Sequence, residues 1–248
     1  MPTEFKHRLA LVVGVQKYEQ AELGKLQNSA ADAETIADAL RSKAGFRIFG
    51  GCELVNPSGQ ELLRHVYEFC EEVQGLEDCL ALVYFSGHGT VKLKTQNEHR
   101  EAMHYLLAAD FKLDSMPGGE AAALDLTACN LERQILAKLH SAKLKAAVVL
   151  IDACRSTDDL SGEPGTHKGW GGADNVRVSH AVGPDRKVLL ACACAVYASA
   201  SDGTASDGLG IFTRHILAVR LNSTAERFAR FEEASLCVCV ACETVPRF

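Results

Sequence analysis

Apolar β-rich runs alternate with amphipathic stretches along this chain, the pattern of an α/β domain whose mostly parallel sheet carries helices on both faces. The first run, LALVVGV at 9–15, predicts a core strand. Residues 29–42 follow with Ala30, Ala33, Ile36, Ala37 and Leu40 at helical spacing and Asp32 in the first turn. A weaker strand is expected over 46–55. Asn56, Pro57 and Ser58 then open a helix that runs to about residue 74, with Leu62, Leu63, Val66 and Phe69 on one face.

The run CLALVYF at 79–85 is continuously apolar, as a strand covered on both faces should be, and it stops at Ser86-Gly87-His88-Gly89. A polar loop comes next, then a short extended piece at 103–108 and a helix over 130–140. A fourth long strand, 145–153, ends on Asp152-Ala153-Cys154-Arg155. Residues 156–187 carry Gly, Pro, Asp and Ser with little periodicity and are expected to form a long loop. Beyond it a strand is expected at 188–195 and helices at 210–220 and 224–234, before a Cys-rich tail. With no internal repeat, one domain over 1–248 is the simplest partition: a large part at 8–155, the loop as linker, and a small part at 188–248.

Composition narrows the function classes. At 248 residues, 47% apolar and 23% charged, the chain is globular rather than disordered. Its 26 Lys plus Arg against 32 Asp plus Glu leave a net charge of −6, and no basic block offers a footprint for nucleic acid or anionic lipid. The apolar runs fall far short of the roughly 20 residues that cross a bilayer. The N-terminus lacks the small-residue cleavage site of a secretory signal, so a cytoplasmic protein with ten reduced cysteines is expected.

Ligands and catalytic groups of open parallel sheets gather at the C-terminal edge of the strands. Two strand ends stand out there: one presents His88 between glycines, the other presents Cys154, 66 residues later, just after Asp152. If the two strands are neighbours, thiol and imidazole face one another. An imidazole lowers a thiol's pKa and later protonates a leaving amine, so a Cys–His pair suffices for acyl transfer. The N–H groups of Gly89 and Cys154 would hold the oxyanion of the tetrahedral intermediate. The competing reading of a cysteine at a strand end is simple packing.

The motifs FSGHG at 85–89 and LIDAC at 150–154 resemble the histidine and cysteine motifs of the caspase-like cysteine peptidases. The resemblance extends to the opening LALVVGVQKY, to LQNSAADAETIADAL, and to ACACAVYASASDG and GIFTRHIL, in collinear order over residues 8–220. It implies a caspase-like three-layer sandwich and a cysteine endopeptidase with Cys154 as nucleophile and His88 as general acid and base. True caspases carry Gln two before the cysteine and His about 50 residues upstream; this chain has Asp152 and a longer separation, nearer the metacaspase, paracaspase and prokaryotic branch. That branch implies cleavage after Arg or Lys, with Asp32, Asp152 and Ser86 matching pocket positions. Two buried carboxylates suit a guanidinium through charge-assisted, partly bidentate hydrogen bonds. For Asp32 a helix-dipole role in a first turn stands equally open, whereas an acid ending an apolar strand, as Asp152 does, needs a partner or a function.

The resemblance implies protein or peptide substrates, a monomer or weak dimer, and no required cofactor. Calcium stays open, because Asp158 and Asp159, with Asp110 and Asp114, do not make up the six to eight oxygens it prefers. Asp202 is a possible third pocket acid. Lys168, Arg177 and Arg186 in the linker would suit self-cleavage. Cys192, Cys194 and Cys237-x-Cys239-x-x-Cys242 lack the paired CxxC sets of a structural zinc site. His65, His140 and His215 read as ordinary helix histidines, and Trp170 is a docking anchor or simply exposed. A second reading is a catalytically weak or inactive interaction module; a third keeps the scaffold but gives it asparaginyl or aspartyl specificity.

Overall fold

A computed structural model describes residues 5–23, 25–96, 99–112, 119–142, 144–153, 176–177, 188–193, 208–218 and 238–239. Strand β1 (His7–Gly14) leads to helix α1 (Ser29–Ala44). The expected strand at 46–55 is two short ones, β2 (Arg47–Ile48) and β3 (Leu54–Val55), both parallel to β1. Gly50 and Gly51 turn the chain between them at φ 72° and 88°, values open to glycine, so no continuous strand forms. Helix α2 (Gly59–Gln74) starts at Ser58, whose hydroxyl accepts the Glu61 N–H while the Glu61 carboxylate accepts the Ser58 N–H. This reciprocal capping box is the physical content of the Asn-Pro-Ser punctuation.

Strand β4 (Cys79–Ser86) lies between β1 and a later strand, β8 (Ala146–Asp152), and is buried throughout. The polar stretch after His88 is not a loop. It forms a hairpin, β5 (Gly89–Gln96) and β6 (His99–Leu107), antiparallel from Gly89↔Leu106 to Gln96↔His99. Its sequence TVKLKTQ alternates apolar residues with lysines, which is a strand period hidden under a polar composition. Helix α3 (Gly119–Thr127), which the pattern did not suggest, precedes β7 (Ala128–Asn130), antiparallel to β6. The helix expected over 130–140 therefore starts late. Asn130 ends the strand and accepts the Arg133 N–H at 2.8 Å, a π-helical stretch covers Leu131–Leu136, and α4 (Ala137–Ser141) completes the element.

Strand β8 (Ala146–Asp152) pairs with β4, and β10 (Val188–Cys192) with β8, all parallel. Between them the described part of the expected linker is β9 (Val176–Arg177), parallel to β6, so Arg177 sits in a paired strand. Helix α5 (Ile211–Ala218) follows, and β11 (Val238–Cys239) from the Cys-rich tail pairs with β10. The central sheet runs β11-β10-β8-β4-β1-β2. The helix expected at 224–234 lies outside the described residues.

Alternate side chains of β1 enter opposite layers. Leu9, Leu11 and Val13 join Leu62, Val66 and Phe69 of α2 and Leu139 of α4, whereas Ala10 and Val12 join Ile36 and Leu40 of α1 and Phe212 of α5. The result is an α/β/α sandwich, the period-two pleat of a strand buried on both faces. Burial of a side chain such as Phe69 contributes about 1.5–3 kcal/mol, and cutting it to alanine would cost about 3–5 kcal/mol. Among the described residues no helix is long and apolar enough to cross a membrane.

Candidate active site

The ends of β1, β4 and β8 meet on one rung, where Gly14 pairs with Ser86 and Ser86 with Asp152. One step further the Gly87 N–H donates to the Asp152 carbonyl at 3.0 Å. The condition set by the spacing of the two motifs is thus met: the strands that lead to His88 and Cys154 are neighbours. Cys154 itself lies outside the described residues, which end on this strand at Ala153.

His88 is half-buried on the turn between β4 and β5. Its N–H donates to the Tyr18 hydroxyl at 2.6 Å, its carbonyl accepts the Leu107 N–H at 3.0 Å, and its ring lies 4.7 Å from the Tyr18 ring, tilted by 55°. Because His88 bonds toward β6, the next residue, Gly89, faces its partner Leu106 as a non-bonded pair and turns its N–H away from β6, to the side of β5 that pairs with no strand among the described residues. That orientation is compatible with an oxyanion donor.

Asp32 is fully buried. Its Oδ2 accepts the Ser86 hydroxyl at 3.1 Å and its Oδ1 accepts the Gly210 N–H at 2.8 Å. The carboxylate therefore bridges α1, the end of β4 and the residue before α5, in addition to sitting in a helix's first turn. Asp152 is 7% exposed, and its Oδ2 accepts the Thr213 hydroxyl at 3.1 Å. Thr213 Oγ1 lies 2.6 Å from Tyr84 Oη. A hydroxyl has one proton, and Thr213 gives it to Asp152, so Tyr84 donates to Thr213. Burial pushes the Tyr84 phenol well above its ordinary value, and the charges of Asp152 and Asp32 add to this, so it keeps that proton.

The two carboxylates converge on Gly210. A methyl group there would lie 2.8 Å from Asp32 Oδ2 and 3.1 Å from Asp152 Oδ2, so only glycine fits without displacing them. Ser86, Asp32 and Asp152 thus form one buried acidic cluster beside the His88 turn. Asp32 Oδ1, Asp32 Oδ2 and Asp152 Oδ2 are each oriented by a neighbour, and carboxylates placed in this way suit a cationic side chain.

Four contributors escaped the sequence reading: Tyr18, Tyr84, Gly210 and Thr213. Tyr84 carried a signal, a hydroxyl inside an otherwise apolar run, which demands a partner once buried. Of the weaker candidates, His65 and His140 each place Nδ1 on the carbonyl one turn earlier, at 2.8 and 2.7 Å, and His215 is exposed on α5. Asp110 accepts the Gly59 N–H at 2.7 Å, at the start of α2. Among the described residues no group of three or more His, Cys, Asp or Glu is arranged to hold a metal ion. Asp114, Asp158, Asp159, Lys168, Trp170, Arg186, Cys194, Asp202, Cys237 and Cys242 lie outside the described residues.

A family model described as the caspase domain matches residues 7–227. Caspase-1 from Spodoptera frugiperda is similar in structure, with a TM-score of 0.52 at 15% identity, over 88% of this chain and 73% of that one. A Geobacter sulfurreducens protein is also similar, with a TM-score of 0.43 at 17% identity, over 60% of this chain; the match spans half the length of that structure. No curated protein matches the chain.

Proposed function

The chain belongs to the caspase-domain family of cysteine peptidases, and on that premise we propose that it is a cysteine endopeptidase of metacaspase-like character that cuts after Arg or Lys. The observation that carries this reading is the convergence of the Asp32 and Asp152 carboxylates on Gly210, at the strand edge that also holds His88. An acidic pocket is the wrong charge for a substrate aspartate and the right one for a guanidinium or ammonium.

In this mechanism His88 takes the Cys154 thiol proton and the thiolate attacks the scissile carbonyl carbon. The N–H groups of Gly89 and Cys154 donate to the developing oxyanion. His88 then protonates the leaving amine and, as base, activates the water that hydrolyses the acyl-enzyme. Asp32, Asp152 and Ser86 hold the basic side chain so that the carbonyl meets the thiolate. No cofactor enters these steps, and the substrates are proteins or peptides. Cys52, Cys70, Cys79, Cys129 and Cys192 are free thiols, which fits a reducing, cytoplasmic setting.

The test is purified full-length protein with fluorogenic peptides ending in Arg, Lys, Asp or Asn, with and without calcium, beside Cys154→Ala. Cleavage after Arg or Lys that vanishes in the variant is expected. Cleavage after Asp or Asn would overturn the pocket; silence under every condition would favour an interaction module.

A further inference from the structure

We infer that Tyr18 is a positioning residue for His88, acting on both its backbone and its ring. The inference rests on the peptidase reading of His88.

His88 stands on a turn, where a side chain's aim depends on the two peptide planes that flank it. Both planes are held. The carbonyl side is fixed by the Leu107 N–H within the hairpin, and the amide side by the Tyr18 hydroxyl at 2.6 Å. The same phenol ring flanks the imidazole at 4.7 Å between centroids, so one side chain constrains where the histidine starts and how far its ring can swing. Tyr18 is itself anchored on either side along the chain. The Lys17 N–H donates to Asn56 Oδ1 at 2.9 Å and the Glu19 N–H to the Ala109 carbonyl at 2.8 Å. Its ring packs against two hydrophobic clusters, one of them containing Leu107 and Phe111.

Gly87 completes the fit. A methyl group at residue 87 would lie 2.7 Å from the Tyr18 oxygen and 2.9 Å from the Phe85 ring, so the phenol occupies the space a side chain there would need. The glycine before the histidine thus serves a close approach as well as a turn. Positioning matters for the proposed chemistry because a displacement of about 1 Å in a catalytic group can cost about 10²-fold in rate.

The experiment compares wild type, Tyr18→Phe, which keeps the ring and loses the acceptor, and Gly87→Ala, which crowds the phenol out without altering it. With an Arg-ending peptide, each variant is expected to lower kcat by roughly 10- to 100-fold with KM within about twofold. A loss confined to KM, or an unchanged kcat in a folded variant, would overturn the inference. In parallel, amide hydrogen exchange of the ¹⁵N-labelled protein reads the His88 N–H directly. It should exchange faster in both variants while the amides of Val83 and Val149 in the central strands keep their protection. Unchanged His88 protection would overturn the inference whatever the kinetics. A wild type that cleaves no peptide would instead overturn the peptidase reading, and the exchange arm would still decide whether Tyr18 holds His88.

Discussion

Ser86 and Asp152 are partners on the last rung of the β4–β8 ladder, and both serve the same acidic cluster. Ser86 donates to Asp32 across the sheet edge at 3.1 Å, while Asp152 receives Thr213 from α5 at 3.1 Å. A single rung therefore ties together α1, the two strands that lead to His88 and Cys154, and the helix that follows the second half of the sheet. Because β4 is buried throughout, a ligand would meet these groups at this edge.

Asp32→Asn and Asp152→Asn should each reduce kcat/KM for Arg peptides by roughly 150- to 5,000-fold, since breaking a desolvated charge pair costs ~3–5 kcal/mol. Both asparagines keep the shape of the site and relieve two like charges that crowd Gly210. Thermal midpoints should therefore hold or rise while Arg cleavage falls. Steady-state kinetics beside calorimetry checks this, and an equal loss on peptides ending in an uncharged residue would count against a charge-reading pocket.

Thr213→Val should destabilise the fold by about 1–3 kcal/mol, because it removes the link between two buried polar groups, Tyr84 and Asp152, and takes a hydrogen-bond partner from each. Adding Tyr84→Phe removes the phenol that Thr213 partners. The double variant should then cost less than the two single changes together, a coupling that urea unfolding of the four proteins measures directly. Strict additivity would mean that the two hydroxyls do not share a proton.

How much of this was legible beforehand depends on whether a residue's role is local. The ends of β4 and β8 could be read because an apolar run that stops at glycine or aspartate marks a strand leaving the core, and His88 and Asp152 lie there. The hairpin β5–β6 was obscured by lysines alternating with apolar residues, a composition that suits a solvated loop as well as an edge strand. For Asp32 the sequence left the helix-dipole and pocket roles open, since the first turn of α1 is visible in the pattern and the Gly210 N–H, 178 residues away, is not. Tyr18 and Gly87 depend in the same way on a close approach between two loops, which no periodicity encodes.

Glu61 supplies a pH-dependent contribution. The backbone N–H of Ser58 and then its hydroxyl hold the Glu61 carboxyl below its ordinary value. A carboxyl depressed in the folded state stabilises it above the ordinary glutamate value of about 4.3, and the contribution is lost as pH falls through the folded value. The stability gap between wild type and Glu61→Gln should therefore be steady near neutrality and close in acid. Denaturant midpoints across that range test the sign, and a gap that widens in acid would refute it.

Thiol reactivity should separate the cysteines by their surroundings. Burial pushes the Cys70 and Cys79 thiols up to about 11 and the Cys129 thiol higher still, whereas Cys52 is exposed. Only the thiolate alkylates, so near neutral pH the three buried groups present on the order of a ten-thousandth or less of their population to a reagent. Brief treatment of the native protein with iodoacetamide, followed by peptide mass spectrometry, should label Cys52 and, if it is the nucleophile, Cys154. Labelling of Cys154 should abolish peptide cleavage in step with its extent, and Cys70, Cys79 and Cys129 should react only after denaturation. If activity survives complete labelling of Cys154, that residue is not the nucleophile, and the chemistry of this strand edge belongs to another group.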